Sequence, residues 1–344
     1  MHPVPVIIDT DPGLGEPGSV IDDGLAIALA VASPELDVLG LTTVNGNVGA
    51  ATGYTLAREL LCRLGRADIP VRLGAASPLR QDMARVWEVF GAEPPTDSAT
   101  SDAASIDATV PRDAVAWLIE QVAARPGEIT IAAIGPVTNL AEAITADPSF
   151  ARNVKEIVTM AGNATGHVEH IDVVADFNVL VDPEAMDIVL RSGANVRLIG
   201  IDQTSRVVLD RADAEWLRSQ DHGDAATGPG AGATPTPAAS TWLADCVDGW
   251  IDVLEAEASH DDPGTALCLL HDPLVVAAIV DPSVCTFAAV GASVDLEAGA
   301  IDIVIPEPGS DSTTAITATP AIRAAVDTDV PAFRQLFLSR TATL

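Results

Sequence analysis

A chain of 344 residues with 48% hydrophobic side chains can build one large α/β domain or two ordinary ones, and with aromatics at 3% its core must be aliphatic. Eighteen basic against 49 acidic residues leave a net charge of −31, with Lys155 the only lysine, which excludes nucleic-acid backbones and anionic membranes as partners. The N-terminus has no basic region, signal-length apolar stretch or cleavage motif, and no run reaches membrane-spanning length, so a cytoplasmic protein is expected.

Short Val- and Ile-rich runs at residues 4–8, 38–44, 129–134, 157–160 and 196–201 read as buried parallel strands. Helical patterns lie between them at 25–32, 54–64, 114–124, 139–145 and 183–191. Asp182-Pro183 and Pro111-Arg112-Asp113 mark helix starts, since proline in a first turn removes no useful N–H. This βα repetition predicts an open, mostly parallel sheet flanked by helices, and the whole chain 1–344 reads as a single α/β domain.

Stretches 91–109 and 223–241, rich in small residues and proline, break the rhythm and read as lid loops within 81–109 and 221–241. The C-terminal third predicts a helix over 266–280, strands over 287–296 and 300–305 with a turn at Glu297-Ala298-Gly299, and a last helix over 332–338. Cys62, Cys246, Cys268 and Cys285 are scattered without a CxxC pair, which suits small core residues in a reducing compartment better than disulfides or zinc ligands.

The first strand run leads into Asp9-Thr10-Asp11-Pro12-Gly13, and Asp22-Asp23-Gly24 then opens the first helix. An aspartate before a helix is a routine N-cap, and Asp22 or Asp23 alone would be read that way. Four acids at the junction of a buried strand and a helix repel one another unless a cation offsets them, and oxygen-only ligands suit hard ions such as Ca²⁺ or Mg²⁺. Open α/β sheets also place their ligands there.

Other strand ends carry Thr42-Thr43-Val44-Asn45-Gly46-Asn47, Gly135-Pro136-Val137-Thr138-Asn139 and Ala175-Asp176-Phe177-Asn178, and later comes His271-Asp272-Pro273. Together with the N-terminal acidic motif these resemble the inosine-uridine preferring nucleoside hydrolase family, over roughly residues 4–280. The resemblance implies a Rossmann-like sheet with a small C-terminal β-hairpin and a Ca²⁺-dependent N-ribosyl hydrolase of purine or pyrimidine salvage, working as a homodimer or homotetramer. It places Ca²⁺ on Asp11, Asp23, the Thr138 carbonyl and Asp272, with Asp22, Asn47, Asp176 and Asn178 on the ribose. Asp11 would be the general base and His271 the acid toward the leaving base.

The chemistry agrees with those roles. Cleaving an N-glycosidic bond passes through a cationic sugar, which needs anionic surroundings and a poised water. Ca²⁺ acidifies water only modestly, so a carboxylate must take the proton, and an unperturbed histidine, with a pKa of about 6.5, can protonate a leaving base near neutral pH. Two other readings fit part of this pattern. A calcium-dependent ribose-binding protein without turnover is one; a Mg²⁺-dependent phosphatase using Asp9-Thr10-Asp11 is the other, although Pro12 follows and only Lys155 could serve as its lysine.

The chain departs from the family pattern in four places. Residues 15–21 add seven between the two acidic motifs and are expected to bulge over the pocket mouth. Asp176 stands where Glu is common, His170 about where an Asn binds the sugar, and Phe90 where a flap histidine is frequent. Trp87 and Phe90 could stack on a base, but packing is the commoner use of an aromatic. His167 and His170 read as loop histidines, since Ca²⁺ prefers oxygen.

Overall fold

Five apolar residues in seven let β1 (Val4–Thr10) be covered on both faces, and it lies inside the sheet. Val6 and Ile8 enter one helical layer and Ile7 the other, because successive side chains leave a strand on opposite faces. The structure is a computed structural model that describes residues 2–14, 20–90, 106, 109–170, 176–220, 238–257, 266–306 and 322–344.

Along the chain come β2 (Leu36–Thr43), β3 (Val71–Leu73), β4 (Thr130–Ala133), β5 (Glu156–Met160), β6 (Val196–Ile199), β7 (Val208–Leu209) and β8 (Cys268–Leu269). After these come β9 (Cys285–Ala289), β10 (Gly291–Asp295), β11 (Ala300–Val304) and β12 (Ile322–Thr328). Eight strands form the main sheet in the order β3-β2-β1-β4-β5-β6-β12-β9, parallel except where β9 meets β12. From β1 the order runs to β2 on one side and to β4 on the other. Such a switch point leaves a crevice at the carboxyl ends of the two central strands.

One face carries α1 (Asp22–Ala32), α2 (Ala50–Arg63), α10 (Arg211–Ser219), α11 (Ala239–Glu257), α12 (His271–Val280) and α13 (Val330–Thr341). The other carries α4 (Ala114–Ala124), α5 (Thr138–Ala146), α6 (Phe150–Asn153) and α8 (Pro183–Arg191). Shorter pieces, α3 (Met83–Phe90), α7 (Phe177–Val181) and α9 (Ile201–Thr204), lie at or beyond strand ends. The core is aliphatic, with Phe150, Phe333 and Phe337 its largest fully buried side chains.

Three expectations are corrected, and the expected lids fall partly outside the described residues. The helix expected from residue 266 begins only at His271, because Cys268 and Leu269 pair antiparallel with β7 and Leu270 N–H donates to the Val207 carbonyl at 2.9 Å. The expected strand over 287–296 is two strands in different sheets, divided at Val290, whose N–H is drawn to the Ile322 carbonyl. Within the expected lids, residues 83–90 are α3 and 239–241 begin α11. Val86 is the buried face of α3, with Met83 and Phe90 packed beside it. Residues 91–105 and 221–237 lie outside the described residues. Cys62 is exposed on the outer face of α2, whereas the other three thiols are partly or fully buried.

The hairpin forms as expected, with Asp295 opposite Ala300 and Gly299 in the left-handed region at φ 67°. The short β3 and the late β12 had no counterpart in the sequence reading. Among the described residues no helix is long and apolar enough to cross a membrane.

Candidate functional site

Position along β1 decides which acid does what, since Asp9 lies within the strand and Asp11 just past its end. Asp9 falls on the α5 side, where its Oδ1 accepts from Asn139 Nδ2 at 2.8 Å and from the hydroxyl of Thr42, its register partner on β2. Asn139 also donates to the Thr43 carbonyl at 3.1 Å and accepts from Ala75 N–H at 2.9 Å. Asp9 therefore ties strand ends together beneath the site and does not join the ion cluster in which the sequence placed it. Burial pushes its pKa up to about 7 despite those two hydrogen bonds.

Thr10 falls on the α1 side, and its hydroxyl donates to Asp23 Oδ1. Asp11, just past the strand, donates its own N–H to that oxygen at 3.1 Å. Asn47 joins the two acids, its N–H reaching Asp11 Oδ2 at 2.7 Å and its Nδ2 reaching Asp23 Oδ2 at 3.0 Å. From α12, Asp272 N–H donates to Asp22 Oδ2 at 3.3 Å.

Carboxylate oxygens of Asp22, Asp23 and Asp272 all lie within 4.8 Å of one another, and two unit charges so spaced repel by about 3.5 kcal/mol at an effective dielectric constant of about 20. Burial is the largest cause of raised pKa at each acid. Asp22 is pushed up to about 6, while Asp23, with the charge of Asp22 added, reaches about 7. Asp11 and Asp272 are held well above the usual carboxylate range by burial and then by their acidic neighbours.

Protons or a cation must therefore share this space. Among the described residues Asp11 Oδ1 is buried without a hydrogen-bond partner, and Gly135 and Gly46 leave room beside the carboxylate, where a Cβ would approach to 2.6 and 1.9 Å. An orphaned oxygen among clustered carboxylates is a donor set that fits a hard cation. Asp22, which the acidic motif put with the ion and the resemblance put on the sugar, belongs geometrically to this group.

The other expected residues lie past the ends of β4, β5 and β8. Thr138 is fully buried at the start of α5, and its hydroxyl donates to Asp182 Oδ2 at 2.7 Å. Asn178 donates Nδ2 to the Ile134 and Met160 carbonyls at 2.9 and 3.2 Å, which leaves Oδ1 for any ligand. Asp176 caps α7, accepting from Val179 N–H at 3.2 Å and from Gly162 N–H, and burial raises its pKa to about 6.

His271 opens α12 as a half-buried residue, and its Nδ1 lies 2.8 Å from the Thr204 hydroxyl. Burial lowers its pKa to about 4, so the surroundings of this ring favour the neutral imidazole.

Trp87 and Phe90 contact Phe177 of α7, with ring centroids 6.2 and 5.4 Å away, so α3 is seated on the helix that carries Asn178. His167 and His170 are exposed loop side chains flanking Glu169. Lys155 is exposed and precedes β5, at the amino ends of the parallel strands and so at the opposite end of the sheet from Asp11, which removes the lysine a phosphatase would need. Sequence reading missed Thr10, Asn139, Asp182 and Thr204. The signal for the first two lay in the motifs already quoted, where each adjoins a singled-out residue; Thr204 carried none.

The family model described as inosine-uridine preferring nucleoside hydrolase matches residues 6–335. A probable uridine nucleosidase 1 of Oryza sativa subsp. japonica is 33% identical over 288 residues, covering 83% of this chain and 80% of that protein. Uridine nucleosidase 1 of Arabidopsis thaliana is 40% identical over 217 residues, 60% of this chain, and the match spans only 59% of the Arabidopsis protein. Among solved structures, a plant nucleoside hydrolase superposes with a TM-score of 0.75 at 30% identity, covering 99% of this chain and 100% of that one.

Proposed function

Because this chain belongs to the inosine-uridine preferring nucleoside hydrolase family, a family of enzymes, we propose that it hydrolyses the N-glycosidic bond of ribonucleosides to a free base and ribose. The observation that carries this reading is the buried group of Asp11, Asp22, Asp23 and Asp272 at the switch point of the sheet. Asp11, Asp23, Asp272 and the Thr138 carbonyl, with Asp22 beside them, would hold a calcium ion, which when bound neutralises the carboxylates and favours binding of two vicinal ribose hydroxyls.

Asp11 acts as the general base. Its unpartnered Oδ1 takes a proton from water as the oxygen attacks the anomeric carbon, while the bond from that carbon to the base nitrogen breaks with its electron pair leaving on the base. The remaining carboxylates stabilise positive charge on the sugar. Asn47, Asn178 and Asp176 orient the ribose, and His271 donates a hydrogen bond to the departing base. Clamping of Asn47 by its bonds to Asp11 and Asp23 supports a fixed sugar contact.

The test is a panel of ribonucleosides assayed for reducing-sugar release with and without chelator. Release that disappears on chelation and returns with calcium supports the reading. Calorimetric binding without any release would make this a ribose-binding protein instead.

A further inference from the structure

Thr204 is fully buried at the end of α9, just past β6, and its hydroxyl has one hydrogen-bonding partner among the described residues, Nδ1 of His271 at 2.8 Å. A neutral imidazole carries one proton, on Nδ1 or on Nε2, and the hydrogen bond made at one nitrogen decides which. Were the proton on Nδ1, it would point at the hydroxyl oxygen, and the hydroxyl proton would be buried with no acceptor, a cost of about 1–3 kcal/mol for an unmade bond. With the hydroxyl donating to Nδ1, both groups are satisfied and the ring proton sits on Nε2.

We infer that Thr204 is a positioning residue that locks His271 with a bare Nδ1 and its proton on Nε2, so that the ring presents a donor to the departing base. The geometry is also one of support between elements: α9 follows β6, α12 begins with His271, and this hydrogen bond sets the ring's rotation against the sheet edge. The role rests on the hydrolase reading only in its kinetic half. The tautomer is a property of the protein without substrate.

Both halves are tested on the full chain loaded with calcium, comparing wild type with Thr204→Val, which keeps the shape and removes the hydroxyl, and Thr204→Ser, which keeps the hydroxyl. Protein labelled with ¹⁵N-histidine gives the imidazole shifts of His271 at pH 7, assigned against His271→Gln. Wild type and Thr204→Ser are expected to show protonated Nε2 and bare Nδ1, and Thr204→Val a mixture of tautomers. In kinetics Thr204→Val should lose roughly tenfold in kcat on a ribonucleoside at unchanged KM, a fraction of what a positioned proton donor contributes, and almost nothing on p-nitrophenyl riboside, whose leaving group needs no donor.

A proton on Nδ1 in the wild type overturns the inference, as does a Thr204→Val protein that keeps the wild-type tautomer, or a folded Thr204→Ser protein that behaves like the valine variant. If Thr204→Val does not fold, the wild-type and serine spectra still decide. If wild type cleaves neither substrate the hydrolase reading falls, while the spectra judge Thr204 separately.

Discussion

Asp11 and Asp23 are twelve residues apart, and the backbone N–H of the first donates to Oδ1 of the second at 3.1 Å. The chain that leaves between them is anchored at both ends. Leu14 is buried and packs against Gly24, where a Cβ would come within 2.4 Å of it, and Ile21 is buried immediately before α1. Both ends of the segment are thereby fixed beside the two carboxylates. Residues 15–19, where the expected bulge over the pocket would be, lie outside the described residues.

Deleting residues 15–19 should preserve calcium binding while changing KM or base preference, because a loop beside a rigid site tunes selection. The cut stops short of Ile21, whose loss would open the core. Isothermal titration with calcium, run beside kinetics on several nucleosides, checks this. A folded variant that no longer binds calcium would show the segment to be part of the ion site.

Asp272→Asn should respond to calcium in two opposite ways. Asp272 is 5% exposed and shares its space with two other carboxylates, so in excess chelator at pH 8 neutralising it relieves repulsion and should stabilise the fold by about 1 kcal/mol or more. With calcium present the same change should weaken ion affinity and turnover together. Thermal melts with chelator and with calcium separate the effects. A variant less stable than wild type under both conditions would contradict the repulsion argument.

Asn139→Ala should cost about 3 kcal/mol, since its amide holds Asp9, the Thr43 carbonyl and Ala75 N–H at once and would leave a buried carboxylate short of a donor. Urea unfolding of the variant measures this directly. A loss below about 1 kcal/mol would mean that water or a rearranged Thr42 replaces the amide.

Asp176 supplies a pH dependence whose sign is fixed by burial. Its folded pKa is raised from 3.8 to about 6, so its contribution to stability is fully present below pH 3.8 and is lost as pH rises through about 6. Relative to Asp176→Asn, which cannot titrate, wild type should be more favoured at pH 4 than at pH 7. Urea midpoints of both proteins across that range test it, and a constant difference would place the shift elsewhere.

Sequence by itself determined the layers of this protein. The apolar runs specify buried strands, and helices 114–124 and 183–191 form with the expected bounds because local propensity and tertiary burial agree there. It also marked the acids and the HDP element, since crowded carboxylates are costly enough to stand out in an aliphatic chain. What it could not show was which neighbours each acid meets at or beyond the strand end. Only pairing and packing decide that Asp9 turns toward Asn139 while Asp11 and Asp22 meet Asp23 and Asp272. The helix expected from residue 266 failed for a related reason: its first residues find carbonyl partners some sixty positions away, at Val207 and β7, and such long-range pairing overrides a helical pattern. Thr204 is the extreme case. An ordinary threonine in sequence becomes the partner of His271 only when two distant elements are folded onto one sheet edge, because a hydrogen bond depends on distance and direction that residue order does not contain.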